Sequence, residues 1–120
     1  MEITGVKLTN RTGADSDFCT FDAEDDIVYI RLSRKDRGIP DKVVVFQTEF
    51  GPVAALAKLE SYHELLKDYG FDCLDPSYVV NTKKIKHIKK SPYGNEAFFH
   101  NGESVPISRS KTEEYKHLVR

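Results

Sequence analysis

The sequence predicts a mainly β fold of antiparallel sheets, with one main helix near residues 56–69 and a short C-terminal helix. Three observations predict it. Short runs of β-branched and aromatic residues recur along the chain, separated by clusters of Gly, Pro, Asn, Asp and Ser, the pattern of strands and turns. Only one stretch carries a sustained three-to-four-residue apolar spacing, so strands and helices do not alternate as they do in parallel sheets. Asn101-Gly102 sits between two strand-like runs and signals a hairpin. No internal repeat, low-complexity tract or long linker divides the chain, so residues 1–120 are read as one domain.

Residues 2–8 form the first strand-like run, and the Asn-, Gly-, Asp- and Ser-rich residues 9–17 a turn. Residues 18–21 (Phe-Cys-Thr-Phe) are a short aromatic strand. Asp22, Glu24, Asp25 and Asp26 then precede the β-branched run 27–32. Residues 33–41 are a charged loop with Gly38 and Pro40, and 43–48 is another strand. Gly51-Pro52 marks a turn before Val53-Ala54-Ala55. In the main helix, Leu56, Leu59, Tyr62, His63, Leu65, Leu66 and Tyr69 gather on one face, and Gly70 ends it. Tyr78-Val79-Val80 is a strand, Asn81-Thr82 a turn, and Ile85 and Ile88 are the apolar positions of a lysine-rich strand. Phe98-Phe99-His100 and Ser104 to Ile107 flank the Asn-Gly turn, and residues 111–120 offer Tyr115, Leu118 and Val119 as the apolar side of a last helix.

A chain of 120 residues can bury one modest core without disulfides or metal. No stretch approaches the ~20 apolar residues that cross a bilayer, and the N-terminus lacks a basic start followed by an apolar run. Cys19 and Cys73 share no ligand spacing and read as reduced, half-buried thiols of a cytoplasmic protein. His63, His87, His100 and His117 form no i, i+4 pair, and the acidic cluster lacks the spacing and glycine of a calcium loop. With no phosphate-binding glycine loop and no nucleophile elbow, the chain is read as a binding protein and not an enzyme, with no catalytic residue, metal or cofactor.

The net charge of −1 does not favour a nucleic-acid partner, but its distribution does. Residues 1–80 carry 9 Lys/Arg and 15 Asp/Glu, whereas residues 81–120 carry 9 Lys/Arg and 4 Asp/Glu. One end can therefore approach phosphates while the other stays solvated. Two basic constellations stand out. The loop Ser33-Arg34-Lys35-Asp36-Arg37 offers guanidinium groups that pair with phosphate or guanine edges. The second comprises Lys83, Lys84, Lys86, His87, Lys89 and Lys90, with Arg109 and Lys111 further on. Strand alternation puts Ile85 inward and Lys84 and Lys86 outward, towards solvent or phosphate. Lysines on an edge strand also serve simply to keep that edge from aggregating.

The order and spacing of several segments add to this. The chain has Leu59-Glu60-Ser61 in the helix, then Gly70-Phe71-Asp72-Cys73-Leu74-Asp75-Pro76-Ser77-Tyr78-Val79-Val80-Asn81, then Ile85 and Ile88. It closes with Asn101-Gly102-Glu103-Ser104-Val105-Pro106-Ile107-Ser108-Arg109, and Asp25 to Ile30 supplies an earlier strand. From Asp25 onward this resembles the LytTR family of bacterial DNA-binding domains. The resemblance implies an elongated arrangement of antiparallel sheets and loop side chains that enter successive major grooves of double-stranded DNA. Carried over by position, it implies contacts from Ser33, Arg34, Lys35 and Arg37, from the segment of Asp75 and Ser77, and from Ser108, Arg109 and Lys111. Lys83, Lys84 and Lys86 join them from the charge pattern. The chain departs from the family in placing Asp75-Pro76, rather than a basic or amide pair, before Ser77-Tyr78. Most members also carry a receiver domain, for which 120 residues leave no room. The expected function is sequence-specific transcription regulation, by one copy or by a homodimer on repeated half-sites. The alternative is a related module that binds a protein or effector and has lost DNA.

Overall fold

The computed structural model describes residues 1–9, 12–34 and 42–120. Among the described residues, ten strands make two antiparallel sheets. The larger sheet comprises β1 (Glu2–Lys7), β2 (Phe18–Asp22), β3 (Ile27–Leu32), β4 (Val44–Thr48), β5 (Gly51–Ala54), β6 (Phe71–Asp75) and β7 (Tyr78–Asn81). Its spatial order is β2-β1-β5-β4-β3-β7-β6. The smaller comprises β8 (Ile85–Lys89), β9 (Asn95–Phe99) and β10 (Ser104–Ile107), with β9 in the middle. The same residues include three short α-helices: α1 (Ala23–Asp26), α2 (Leu59–Leu66) and α3 (Arg109–Glu114).

The larger sheet is covered on both faces. Ile30, Phe46, Val53, Phe71 and Val79 face α2, where Leu59, Tyr62 and Leu66 close one core. Val28, Tyr29, Leu74 and Val80 meet Ile85, Ile88, Ala97, Phe99, Val105 and Ile107 of the smaller sheet in a second. The interior strand β3 accordingly opens on four consecutive buried apolar residues, Ile27 to Ile30, rather than an alternating pattern, because neither of its faces meets water there. A register shift between Ile27 and Tyr29 adjusts which of its side chains faces which core. The principal extents are 45 × 29 × 24 Å, so the domain is elongated.

Several boundaries differ from the sequence expectation for physical reasons. The main helix begins at Leu59, and a 3-10 turn over Lys67–Tyr69 carries it to Gly70, which has φ 89°. Leu56 lies outside it, exposed, with its N–H donated to the Tyr62 hydroxyl. Gly51 and Pro52, expected as a turn, belong to β5, where Pro52 opposes Gln47. The acidic stretch is a helical turn, capped by the Asp22 carboxylate accepting the Asp25 N–H. The Asn101-Gly102 hairpin closes through three residues rather than two. The Phe99 N–H donates to Glu103 O and the Gly102 N–H to Phe99 O, with Gly102 left-handed at φ 89°. The C-terminal helix starts two residues earlier than expected, capped by Ser108, and a 3-10 turn over Lys116–Leu118 follows. Both cysteines are free and half-buried. Among the described residues, no helix is long and apolar enough to cross a membrane.

Candidate nucleic-acid interface

The sequence-predicted residues divide into a group brought together and a group drawn away. The first gathers around the β6–β7 hairpin. Asp75 pairs with Tyr78, leaving Pro76-Ser77 as the turn, and the Asp75 carboxylate accepts the Ser77 N–H at 3.0 Å. This is an Asx turn, in which a short carboxylate substitutes for a backbone acceptor. Ser77 is thereby held below Arg34, whose guanidinium donates to the Ser77 hydroxyl at 3.1 Å. On the other side, Leu74 O accepts the Ser108 N–H at 2.8 Å. Ser108 in turn caps α3, its hydroxyl accepting the Lys111 N–H at 3.3 Å, so the exposed Arg109 is the first helical residue. A continuous chain of contacts thus links Arg34, Ser77, Leu74, Ser108 and Arg109.

Other candidates have different partners. Ser33 is buried, and its hydroxyl accepts the Val43 N–H at 2.9 Å, closing the base of the charged loop. Lys35 and Arg37 lie outside the described residues. Strand alternation puts Lys84 outward, but Lys84 lies with Lys83 in the 3-10 turn Thr82–Lys84, at the far end of β7 from Ser77. Lys83 is salt-bridged to Glu24, and Lys84 to Glu49 at 2.8 Å. Lys86 is exposed on β8, as alternation predicts, although a register shift between Ile85 and His87 then puts Ile88 inward.

Lys111 points back into the domain. Its Nζ lies 3.0 Å from Asp72 Oδ2, and the Tyr115 hydroxyl donates to the same oxygen at 2.8 Å. Burial pushes the Asp72 carboxyl up, but the Lys111 and Tyr115 hydrogen bonds outweigh it and hold the pKa below the ordinary aspartate value. Burial and the same carboxylate push the Tyr115 phenol up. Asp72 therefore anchors the helix that carries Arg109. Sequence reasoning missed it, because an aspartate at a strand position carries no periodic signal.

A second link was also missed. Asn95 accepts the Ser91 N–H at 3.3 Å and donates to Thr112 Oγ1 at 3.0 Å. Thr112 is buried and its hydroxyl donates to Ser108 O at 2.8 Å. The β8–β9 turn is so joined to the base of α3, and Lys90, Ser91, Pro92, Asn95 and Arg109 line one groove of about 480 Å³.

Residues 21–120 match the family model of the LytTr DNA-binding domain. A solved structure from Bacillus cereus, described as the LytTr DNA-binding domain of a response regulator, is 21% identical and has a TM-score of 0.71. The match covers 98% of this chain and 94% of that one, and it shows a shared fold. None of the curated proteins matches the chain. Both the matched span and the two-sheet architecture lead to the same conclusion: the chain belongs to the LytTr DNA-binding domain family.

Proposed function

We propose that this chain is a sequence-specific DNA-binding transcription regulator that reads successive major grooves with side chains from loops and the start of α3. The observation that carries the reading is the contact chain joining Arg34, Ser77, Ser108 and Arg109. It fixes two guanidinium-bearing segments relative to one another, and guanidinium is the group best suited to guanine edges and phosphate. An extent of 45 Å exceeds the roughly 34 Å helical repeat of DNA, so one copy is long enough to meet two grooves. Two copies on repeated half-sites would extend the same contact. Lys83 and Lys84, already neutralised by Glu24 and Glu49, take a smaller part than the charge pattern suggests.

One feature favours the second reading, a protein- or effector-binding module. Asp75 places a carboxylate at the hairpin where a DNA contact would fall. Its hydrogen bond to the Ser77 N–H gives it a local role that is compatible with either reading. A gel shift against pooled genomic fragments at low and moderate salt separates them. The DNA reading predicts selective retention of some fragments at moderate salt, and loss of that selectivity in Arg109→Ala at a cost of about 1–3 kcal/mol. Failure to shift any fragment at low salt contradicts the DNA reading and supports the second.

A further inference from the structure

We propose that the β8–β9 turn, residues 90–94, is an additional DNA-contacting arm, in which Lys90 and Tyr93 grip the sugar–phosphate backbone beside the groove entered by Arg109. The inference rests on the DNA-binding reading above and adds a contact element to it.

Three observations carry it. The first is exposure of a kind that packing does not explain. Tyr93 is 100% exposed, whereas the other tyrosines are buried or half-buried. A fully solvated aromatic at a turn tip contributes nothing to a core, but it offers a flat face to a deoxyribose and a hydroxyl to a phosphate oxygen.

The second is rigidity. The turn is closed by the Gly94 N–H donating to Ser91 O at 3.1 Å, and the Tyr93 N–H donates to the Ser91 hydroxyl at 3.2 Å. Pro92 fixes the position before Tyr93, and Gly94 takes φ 136°, which a side chain would resist. Asn95 then fastens the turn to Thr112 of α3. Tyr93 is thus presented on a braced turn, with little conformational freedom left to lose on contact.

The third is charge. Lys90 and Arg109 line the same groove, opposed there by the single carboxylate of Glu113. Lys86, Lys89 and Lys90 form no ion pair among the described residues, unlike Lys83, Lys84 and Lys111. All three are exposed. Of the six cations in residues 81–120 that form no ion pair among the described residues, three therefore sit on β8 and its turn and a fourth, Arg109, lines the groove beside them; Lys116 and Arg120 are the other two.

The test is the salt dependence of binding to a fluorescent mixed-sequence duplex, measured by anisotropy between about 50 and 200 mM salt. One phosphate contact contributes about 0.9 to the slope of log K against log salt. Lys90→Ala should lower that slope by about one contact and weaken binding several-fold to every duplex sequence, while Lys90→Arg restores both. Tyr93→Ala should weaken binding several-fold with the slope nearly constant, and Tyr93→Phe should recover part of the loss. A Lys90→Ala slope equal to that of the wild type overturns the arm while leaving the DNA reading intact. A wild-type chain that binds no duplex even at low salt overturns both. Thermal melts that coincide with the wild type exclude misfolding, since both side chains are exposed.

Discussion

Replacing Asp72 by alanine should loosen the helix that carries Arg109. Asp72 accepts from Lys111 and from Tyr115, and no other side chain ties β6 to both ends of α3 among the described residues. A hydrogen bond to a charged group contributes about 1.5–3 kcal/mol when well buried. The Lys111 side chain is 30% exposed, so its ion pair is discounted to about 0.5–1 kcal/mol. The Tyr115 bond, at 2.8 Å to a carboxylate 20% exposed, adds about 1.5 kcal/mol. The sum, about 2–2.5 kcal/mol, corresponds to a fall of roughly 8–10 °C in Tm for a domain of this size. The contribution also has a pH signature. A carboxyl whose folded pKa is depressed stabilises fully above its unfolded value and loses that stabilisation as pH falls through the folded one. The gap in Tm between wild type and Asp72→Ala should therefore stay constant from neutral pH down to about 5. It should then close progressively below the ordinary aspartate value of 3.8. Circular dichroism melts across this range check it. A neutral-pH Tm within about 2 °C of wild type, or a gap that persists in acid, would show that Asp72 does not anchor α3.

Asn81 is fully buried and donates to Glu24 O and Ile27 O, both at 2.9 Å, so Asn81→Ala strands two carbonyls and should cost about 2–3 kcal/mol in urea unfolding. Its effect on DNA should be no greater than that loss of stability explains. Asp75→Asn keeps an acceptor for the Ser77 N–H but removes a negative charge, so Tm should hold while low-salt DNA binding tightens. Weaker specific binding in that variant, with non-specific binding constant, would instead mean that the carboxylate accepts from a cytosine.

The sequence made the strands legible wherever an apolar run was short and bounded, as in β3, β4, β7 and β10. It misplaced elements where tertiary contacts override local pattern. Leu56 and Leu65 share the apolar spacing of α2, yet both are exposed, because the helix begins only at Leu59 and the sheet meets a narrower face. β6 was hidden because Phe71, Asp72, Cys73, Leu74 and Asp75 neither run apolar nor place an apolar residue at every second position; Phe71 and Leu74, three apart and so on opposite faces, enter different cores. At the candidate site, residue type and order pointed to Arg34, Ser77 and Arg109. Ion pairing was not legible, since Lys83, Lys84 and Lys111 find carboxylates 59, 35 and 39 residues away. Charge counting along a chain sees the cation and not its distant partner.

The central claim is that one connected surface, running from Arg34 through Ser77 and Arg109 to the β8–β9 turn, meets DNA. Backbone amide shifts of the isotope-labelled protein, titrated with a duplex selected from the pooled genomic fragments, test it most directly. The account predicts the largest changes at Arg34, Ser77, Ser108 to Ser110 and Lys90 to Asn95, with β1, β2 and the Glu24–Lys83 pair nearly unchanged. Changes concentrated on β1, β2 or α2, with Arg34 and Arg109 silent, would contradict it.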